Sequence, residues 1–341
     1  MRYVIIGAGA IGGTLGGRLA QHSTNPPLLI ARSAHGEAIA ADGLRLRSPD
    51  SDDRISVAVA ASPDDVRLEV DDVLVIATKT QAVEAALLEW VDRPVFSGSA
   101  ADSVGSAGDL LPIFTALNGV ESERIASRYF ARVFGICVWL PAVHLEAGEV
   151  VVRIAPSSGT FIVGRYGAAA DASDRALLET LEHDWTASTF RIFVVDDVMA
   201  WKHRKLLANL GNALAALLGP GQSEGISSRL TDEATAIFEA AGLTWPSDEQ
   251  EEAWRDDAFD IRPVPGVEGE LGGSSWQSLK RGGSIETDFL NGEIALMARL
   301  LGRSAPLNAT VQRLARQAAA SGAGAGSMSA EELEAALDAA V

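Results

Sequence analysis

Residues 3–13 read "YVIIGAGAIGG". The apolar run Tyr3–Ile6 shows no polar alternation, as expected of a strand buried on both faces, and "GAIGGTLGGRLAQ" behind it reads as a glycine-opened helix. Glycines at 7, 9 and 12 therefore fall in GxGxxG spacing between a strand and a helix. Each glycine has a physical reason. Gly7 can make the tight turn, Gly9 leaves no Cβ between backbone and a pyrophosphate, and Gly12 lets the helix pack closely on the strand. The helix N-terminus offers unpaired N–H groups to the phosphates. The spacing alone is common in unrelated proteins, so the context carries the reading: Gly7, Ala8, Gly9, Ala10, Ile11 and Gly12 form a dinucleotide-binding turn.

The end of the next strand selects the dinucleotide. Roughly twenty residues after the last glycine an NAD enzyme places an acid on the ribose 2′-hydroxyl. This chain has "LLIARSAHG", with Arg32 and Ser33 and no acid. A guanidinium matches a 2′-phosphate, which favours NADP(H), the alternative being an ordinary solvated arginine. Two further strand ends carry polar groups to the same edge, Lys79 after "DVLVIAT" and Asn118 before Gly119 after "IFTAL". A surface lysine and a turn asparagine are the bland readings of these two.

Outward from this turn, short β-rich runs alternate with helical ones: "PPLLIAR", "ISVAVAA", "DVLVIATK", "LPIFTALNG", "VFGICVWL", "EVVVRIAP", "TFIVGRY" and "FRIFVV" read as strands. The segment "SGSAADSVGSAGD" reads as a loop. Beyond Asp197 the helical pattern takes over, through "VMAWKHRKLLANLGNALAALLG", "RLTDEATAIFEAAG", "DEQEEAWRDDAF", "SSWQSLKR", "IETDFLNGEIALMARLLG" and "NATVQRLARQAAA". The fold class is α/β followed by all-α. The expected divisions are 1–195, a dinucleotide-binding domain; 196–322, a helical domain; and 323–341, a flexible tail with a short acidic helix.

Within "WKHRKLLANLGNALAALLG", Lys205, Asn209 and Asn212 recur at i, i+4 and i+7, one polar stripe if the helix is continuous at about 3.6 residues per turn. A lysine on an otherwise buried helix is paired, set at a cleft, or used in proton transfer. The stripe alone equally fits a face turned to solvent or to another helix. His203, two residues from Lys205, points to another face, and Trp276 reads as packing or as a cleft wall.

Composition limits the rest. With 341 residues and 47% hydrophobic content the chain can build real cores. A formal charge of −18 argues against nucleic-acid binding. No stretch reads as a membrane span or signal peptide, the lone Cys137 can form no intrachain disulfide, and the five histidines show no metal-ligand spacing. A cytoplasmic location follows as the default.

These motifs together resemble the ketopantoate reductase (2-dehydropantoate 2-reductase) family, nearly end to end. "IIGAGAIGG", "ARSAHGEAIAADGLRL", "ATKTQ", "LNGVESE", "WKHRKLLANLGNAL", "SSWQSL", "IETDFLNGEI" and "APLNATVQRL" occur in the family's order. The resemblance implies a Rossmann-type NADP-binding domain, a C-terminal domain like that of 6-phosphogluconate dehydrogenase, and a cleft holding NADPH and a 2-oxo acid. It makes Lys205 the catalytic lysine, Glu286 the active-site glutamate, Asn209 a substrate-binding asparagine and Ser275 the serine on the substrate carboxylate. The serine-to-glutamate interval is one residue short, which keeps Ser274 in play. Asn118 and Lys79 match polar residues near the nicotinamide and cofactor. Asn212 departs from the pattern, since the family's second asparagine falls where Ala213 stands. The chemistry agrees: a ketone accepting hydride needs a proton donor at its oxygen, which Lys205 can be. For Glu286 a helix-start acid, and for Ser275 an N-cap, are the structural alternatives. The implied reaction is reduction of 2-dehydropantoate to (R)-pantoate, on the way to pantothenate and coenzyme A. Another branched 2-oxo acid, or a non-catalytic NADP-binding regulator, are the competing readings. The helical domain could support a homodimer.

Overall fold

A computed structural model describes residues 1–144, 146–219, 221–222, 225–255, 260–267, 273–280 and 282–341, with Arg255 and Ser274 described by their backbones alone. The chain divides into two compact units, residues 1–117, 121–199 and 247–267 in the first and 118–120, 200–246 and 268–341 in the second.

The first unit is built on an eight-stranded sheet. Its order is Phe190–Val194, Gly159–Arg165, Arg132–Trp139, Pro112–Thr115, Asp72–Ile76, Arg2–Ile6, Leu28–Ile30 and Ala58–Ala60. The last six run parallel, and Gly159–Arg165 turns antiparallel against Arg132–Trp139. Tyr3 and Ile5 enter one apolar cluster with Val73, Val75, Phe114 and Phe134, while Val4 and Ile6 enter the other with Leu74, Ile76 and Ile113. Both faces of the strand are thus dry, which is why its sequence lacks polar alternation. Each such aliphatic side chain contributes about 1.5–3 kcal/mol when fully buried.

The parallel register fixes the functional edge. Ile6 pairs with both Ile30 and Ile76, so the segments carrying Gly7, Arg32 and Lys79 leave the sheet at the same C-terminal end. Ligands of open α/β sheets bind at this end.

Segment 247–267 belongs to this first unit, although it lies beyond the sequence boundary at 195. Its ties explain why: Trp254 stacks on Phe193 at 4.4 Å, and Arg262 donates to Asp50 at 2.9 Å and to the Ala155 carbonyl at 3.0 Å. The segment expected as a loop also carries structure. Gly105 pairs with Val95, and Ser106 accepts from the Asp109 N–H at 3.3 Å to start a turn of helix at Ala107–Leu110.

The second unit is helical among its described residues. The stretch expected as one continuous helix is two, Val198–Asn209 and Gly211–Leu218, broken at Leu210. There the Leu210 N–H reaches back only to Leu207, at 3.4 Å, in a 3₁₀-type bond. Two causes act on this point. Gly211 is a poor helix former, and the Leu210 carbonyl is drawn to the Asn291 side chain at 3.2 Å. The C-terminal segment, expected as a flexible tail with a short acidic helix, packs on the helices of the second unit. Gly326 and Met328 donate to the Ala216 and Leu217 carbonyls, and the helix Ala330–Asp338, capped by Ser329, buries Leu333 and Leu337 completely.

Candidate active site

In the first unit the glycine turn has the shape its spacing requires. Gly7 sits at φ +100°, a conformation that L side chains rarely adopt. A Cβ on Gly12 would lie 1.9 Å from the Gly7 carbonyl oxygen, so the helix Ala10–His22 can seat on the turn only with glycine there. An added Cβ on Gly9, by contrast, meets nothing within 4 Å. The helix it opens has no acidic residue in its first turn and no side-chain cap at Gly9. These are the features of a phosphate cradle: open backbone, free helix-end donors and no competing carboxylate.

Arg32 precedes the helix Ser33–Asp42 and is exposed. It forms a bidentate pair with Glu89 of the helix Val83–Trp90 and donates through Nε to the Ala61 carbonyl at 3.3 Å. Ser33 takes φ +56°, a left-handed turn unusual for a residue with a side chain. Lys79, half-buried, stands at the start of the Thr80–Ala82 turn after Asp72–Ile76.

The helical unit collects the other expected residues on elements that its own packing brings together. Lys205 and Asn209 share the helix Val198–Asn209 one turn apart, the former half-buried and the latter 9% exposed. Asn212 lies past the break, on Gly211–Leu218, which packs against Ser274–Lys280. There a Cβ on Gly273 would come 3.1 Å from Asn212 Oδ1. Ser275 follows two residues later and is 2% exposed. It does not cap its helix. Its Oγ has no hydrogen-bond partner among the described residues, and the same holds for Asn209 Nδ2. The Ser274 side chain lies outside the described residues.

Glu286 is 4% exposed and precedes the 3₁₀ turn Thr287–Phe289, to which its side chain makes no capping bond. Gly119, next to Asn118, takes φ +78° and abuts the same turn, a Cβ there falling 2.8 Å from the Phe289 carbonyl oxygen. Asn118 and Glu286 are thus held on touching segments.

Sequence reasoning assigned no role to Asn291 and Asn308, which organise this region. Asn291, fully buried at the start of Asn291–Leu300, donates from Nδ2 to the Leu210 carbonyl and, at 3.0 Å, to Asn308 Oδ1. Asn308 donates to the Leu230 carbonyl at 3.0 Å and to Glu233 at 2.9 Å. Glu233 in turn accepts the Leu307 and Asn308 N–H groups at the start of the helix Pro306–Ser321. The chain of bonds ties the segment after Glu286 to the break next to Asn209. Both asparagines stood in quoted motifs, but their partners lie 81 and 17 residues away from Asn291, beyond any local pattern.

Among the described residues no cluster of three or more His, Cys, Asp or Glu could hold a metal ion, and no helix is long and apolar enough to cross a membrane.

Comparison with known proteins matches the chain in two consecutive regions, and the second of them takes in the segment 247–267 that packs with the first unit. Residues 3–167 match the family model "Ketopantoate reductase PanE/ApbA", and residues 197–319 match its C-terminal counterpart. The chain is 28% identical over 345 residues to a 2-dehydropantoate 2-reductase of Mesorhizobium japonicum, covering 94% of this chain and 98% of the relative. It is also 28% identical over 336 residues to one of Halobacterium salinarum, covering 93% and 99%. The crystal structure of a PanE/ApbA family ketopantoate reductase from Ralstonia eutropha superposes with a TM-score of 0.73 at 25% identity, covering 94% of this chain and 99% of that one. A D-mandelate dehydrogenase solved with NADH and anilino(oxo)acetate shares the fold, with a TM-score of 0.75 at 20% identity and the same coverage.

Proposed function

The chain belongs to the ketopantoate reductase family of oxidoreductases acting on CH–OH groups, and from that premise we propose that it reduces a 2-oxo acid to the 2-hydroxy acid with NADPH, 2-dehydropantoate being the foremost substrate. The observation that carries this reading is a pair of buried donors, Asn209 Nδ2 and Ser275 Oγ, with no partner among the described residues. An unsatisfied buried donor costs about 1–3 kcal/mol, and a carboxylate accepts from both kinds.

The glycine turn Gly7–Gly12 would hold the pyrophosphate, with Arg32 on the 2′-phosphate and Lys79 and Asn118 towards the rest of the cofactor. The dinucleotide, when bound, supplies the hydride. The chain's own residues do the remainder. Lys205 donates the proton to the carbonyl oxygen and, as an ammonium, stabilises the alkoxide charge as it develops. Glu286 holds Lys205 in register and accepts from a substrate hydroxyl. Asn209 and Ser275 donate to the carboxylate and so orient the ketone.

A second reading, reduction of another branched 2-oxo acid, is favoured by Ala213 at the position where the family's second asparagine is expected. One experiment decides among the readings: purified protein with NADPH or NADH and a panel of 2-oxo acids, following loss of reduced-cofactor absorbance. Preference for 2-dehydropantoate supports the proposal, and preference for another 2-oxo acid supports the second reading. Cofactor binding without turnover on any substrate leaves a regulatory binder instead.

A further inference from the structure

His35 lies in the first turn of the helix Ser33–Asp42, three residues after Arg32, and both of its ring nitrogens are engaged. Nε2 is 2.7 Å from the Ala8 carbonyl oxygen, within the glycine turn. Nδ1 accepts the Gly148 N–H at 2.9 Å. A carbonyl can only accept and an N–H can only donate, so the ring is neutral with its proton on Nε2. A second imidazole, His144, packs on it with ring centroids 4.1 Å apart, and its Nδ1 lies 3.0 Å from the Glu149 carbonyl oxygen. His35 is thus clamped by partners 27 and 113 residues away.

The bond to Ala8 has a stereochemical consequence. The Ala8–Gly9 peptide is trans, so its C=O and N–H point in opposite directions. The Ala8 carbonyl is directed towards His35 and towards Gly13, where an added Cβ would come within 2.7 Å of it. The Gly9 N–H therefore faces away from both. Rotation of this one peptide plane would turn a carbonyl oxygen towards an incoming phosphate, replacing attraction with repulsion.

We propose that His35 is a positioning residue for the dinucleotide: by donating to the Ala8 carbonyl it holds the Ala8–Gly9 peptide with its N–H presented to the pyrophosphate. The inference rests on the dinucleotide reading of the glycine turn. Replacement of His35 lowers the fraction of protein with a binding-competent turn and raises the apparent Kd by that fraction.

The test compares His35→Phe, which keeps an aromatic ring beside His144 but offers neither hydrogen bond, with His35→Gln, which carries both a donor and an acceptor. NADPH and NADH Kd values are measured by titrating protein fluorescence without substrate, and KM values and kcat are then determined separately. H35F is expected to raise both cofactor Kd values about three- to tenfold, the size expected from one neutral hydrogen bond. Its kcat at saturating cofactor and its KM for the oxo acid stay within about twofold of wild type, and H35Q recovers most of the affinity. If H35F does not fold, His35→Met, unbranched and without a donor, carries the same expectation. Unchanged cofactor affinity in a folded H35F or H35M, or a parallel rise in oxo-acid KM, overturns the proposal. Wild-type protein that binds neither dinucleotide overturns the underlying reading instead.

Discussion

Replacing Asn291 with alanine probes the polar chain behind the helical half of the site. Asn291 Nδ2 gives one hydrogen to the Leu210 carbonyl and the other to Asn308 Oδ1, while its own Oδ1 has no partner among the described residues. Truncation therefore removes two donated bonds and relieves one unsatisfied acceptor. Leu210 stands at the N-cap of Gly211–Leu218, where its carbonyl also serves the first helical bond, so its loss costs about 1 kcal/mol. Asn308 Oδ1 becomes a buried acceptor without its donor, at about 1–3 kcal/mol. With a small cavity added and the relieved oxygen subtracted, N291A should unfold about 2–4 kcal/mol more easily. Urea denaturation followed by circular dichroism measures this, with the slope unchanged. Asn291→Asp should be at least as damaging, because a carboxylate facing two acceptors donates to neither. Because the Leu210 carbonyl anchors the residue next to Asn209, kcat/KM for the oxo acid should fall while cofactor Kd holds. A loss of stability under about 0.5 kcal/mol, or N291D more stable than N291A, would refute the reasoning.

Ser275→Ala removes a buried hydroxyl with no described partner, so stability should hold or rise by up to about 1 kcal/mol while oxo-acid KM rises about tenfold or more; an unchanged KM removes Ser275 from the carboxylate site. Lys205→Ala should lower kcat by about a hundredfold or more with NADPH affinity retained, and turnover equal to wild type would exclude it as the acid. Glu89→Gln frees the Arg32 guanidinium from its bidentate partner and should lower NADPH KM relative to NADH, whereas Arg32→Ala should abolish the preference; identical ratios in both variants would deny Arg32 the 2′-phosphate. Leu333→Ala in the fully buried face of the C-terminal helix should cost about 2–5 kcal/mol, read by thermal denaturation, and a change below about 1 kcal/mol would show that this docking contributes little.

What could be read in the sequence was what local physics encodes. The strand Arg2–Ile6, the glycine turn and its helix follow from hydrophobic continuity and from glycines whose missing Cβ is sterically required, and the sequence shows both directly. The break at Leu210 was not legible, because "LLANLGNALAALL" is good helix sequence apart from Gly211, and the carbonyl's other partner, Asn291, lies 81 residues on. The return of 247–267 to the first unit depends on Arg262 and Trp254 finding Asp50 and Phe193, pairings that no composition shift announces. Leu333 and Leu337 mark an amphipathic helix at i, i+4, but the surface that receives it is not in its own pattern. His35 is the same case at the glycine turn. Its chemistry is visible in "ARSAHG", yet its partners Ala8 and Gly148 lie elsewhere in the chain.

Lack of a hydrogen-bond partner does not by itself mark a binding group, and the buried atoms with no partner among the described residues separate by setting. Trp90 Nε1 is one of them, yet Trp90 is fully buried in an apolar cluster with Leu74, Val83 and Leu87, where the indole serves as packing volume. Asn209 and Ser275 fill no such apolar volume: each is small and polar, and Asn209 stands one turn from Lys205, the acid of the proposed mechanism. Both are neutral donors, which suits a chain of formal charge −18. A cation at either position would grip a carboxylate more strongly, but it would have to be desolvated before substrate arrives, at a cost of several kcal/mol, and the same helix already carries one buried cation, Lys202, at 3% exposure. Neutral N–H and O–H groups cost about 1–3 kcal/mol each when unpaired, and in the proposed mechanism they leave proton donation to Lys205. On this argument, introducing a lysine at Asn209 should tighten binding of the oxo acid and of its hydroxy-acid product alike, and slow turnover through product release. Faster turnover in Asn209→Lys, measured at saturating substrate, would show that the neutral donors are not there for that reason.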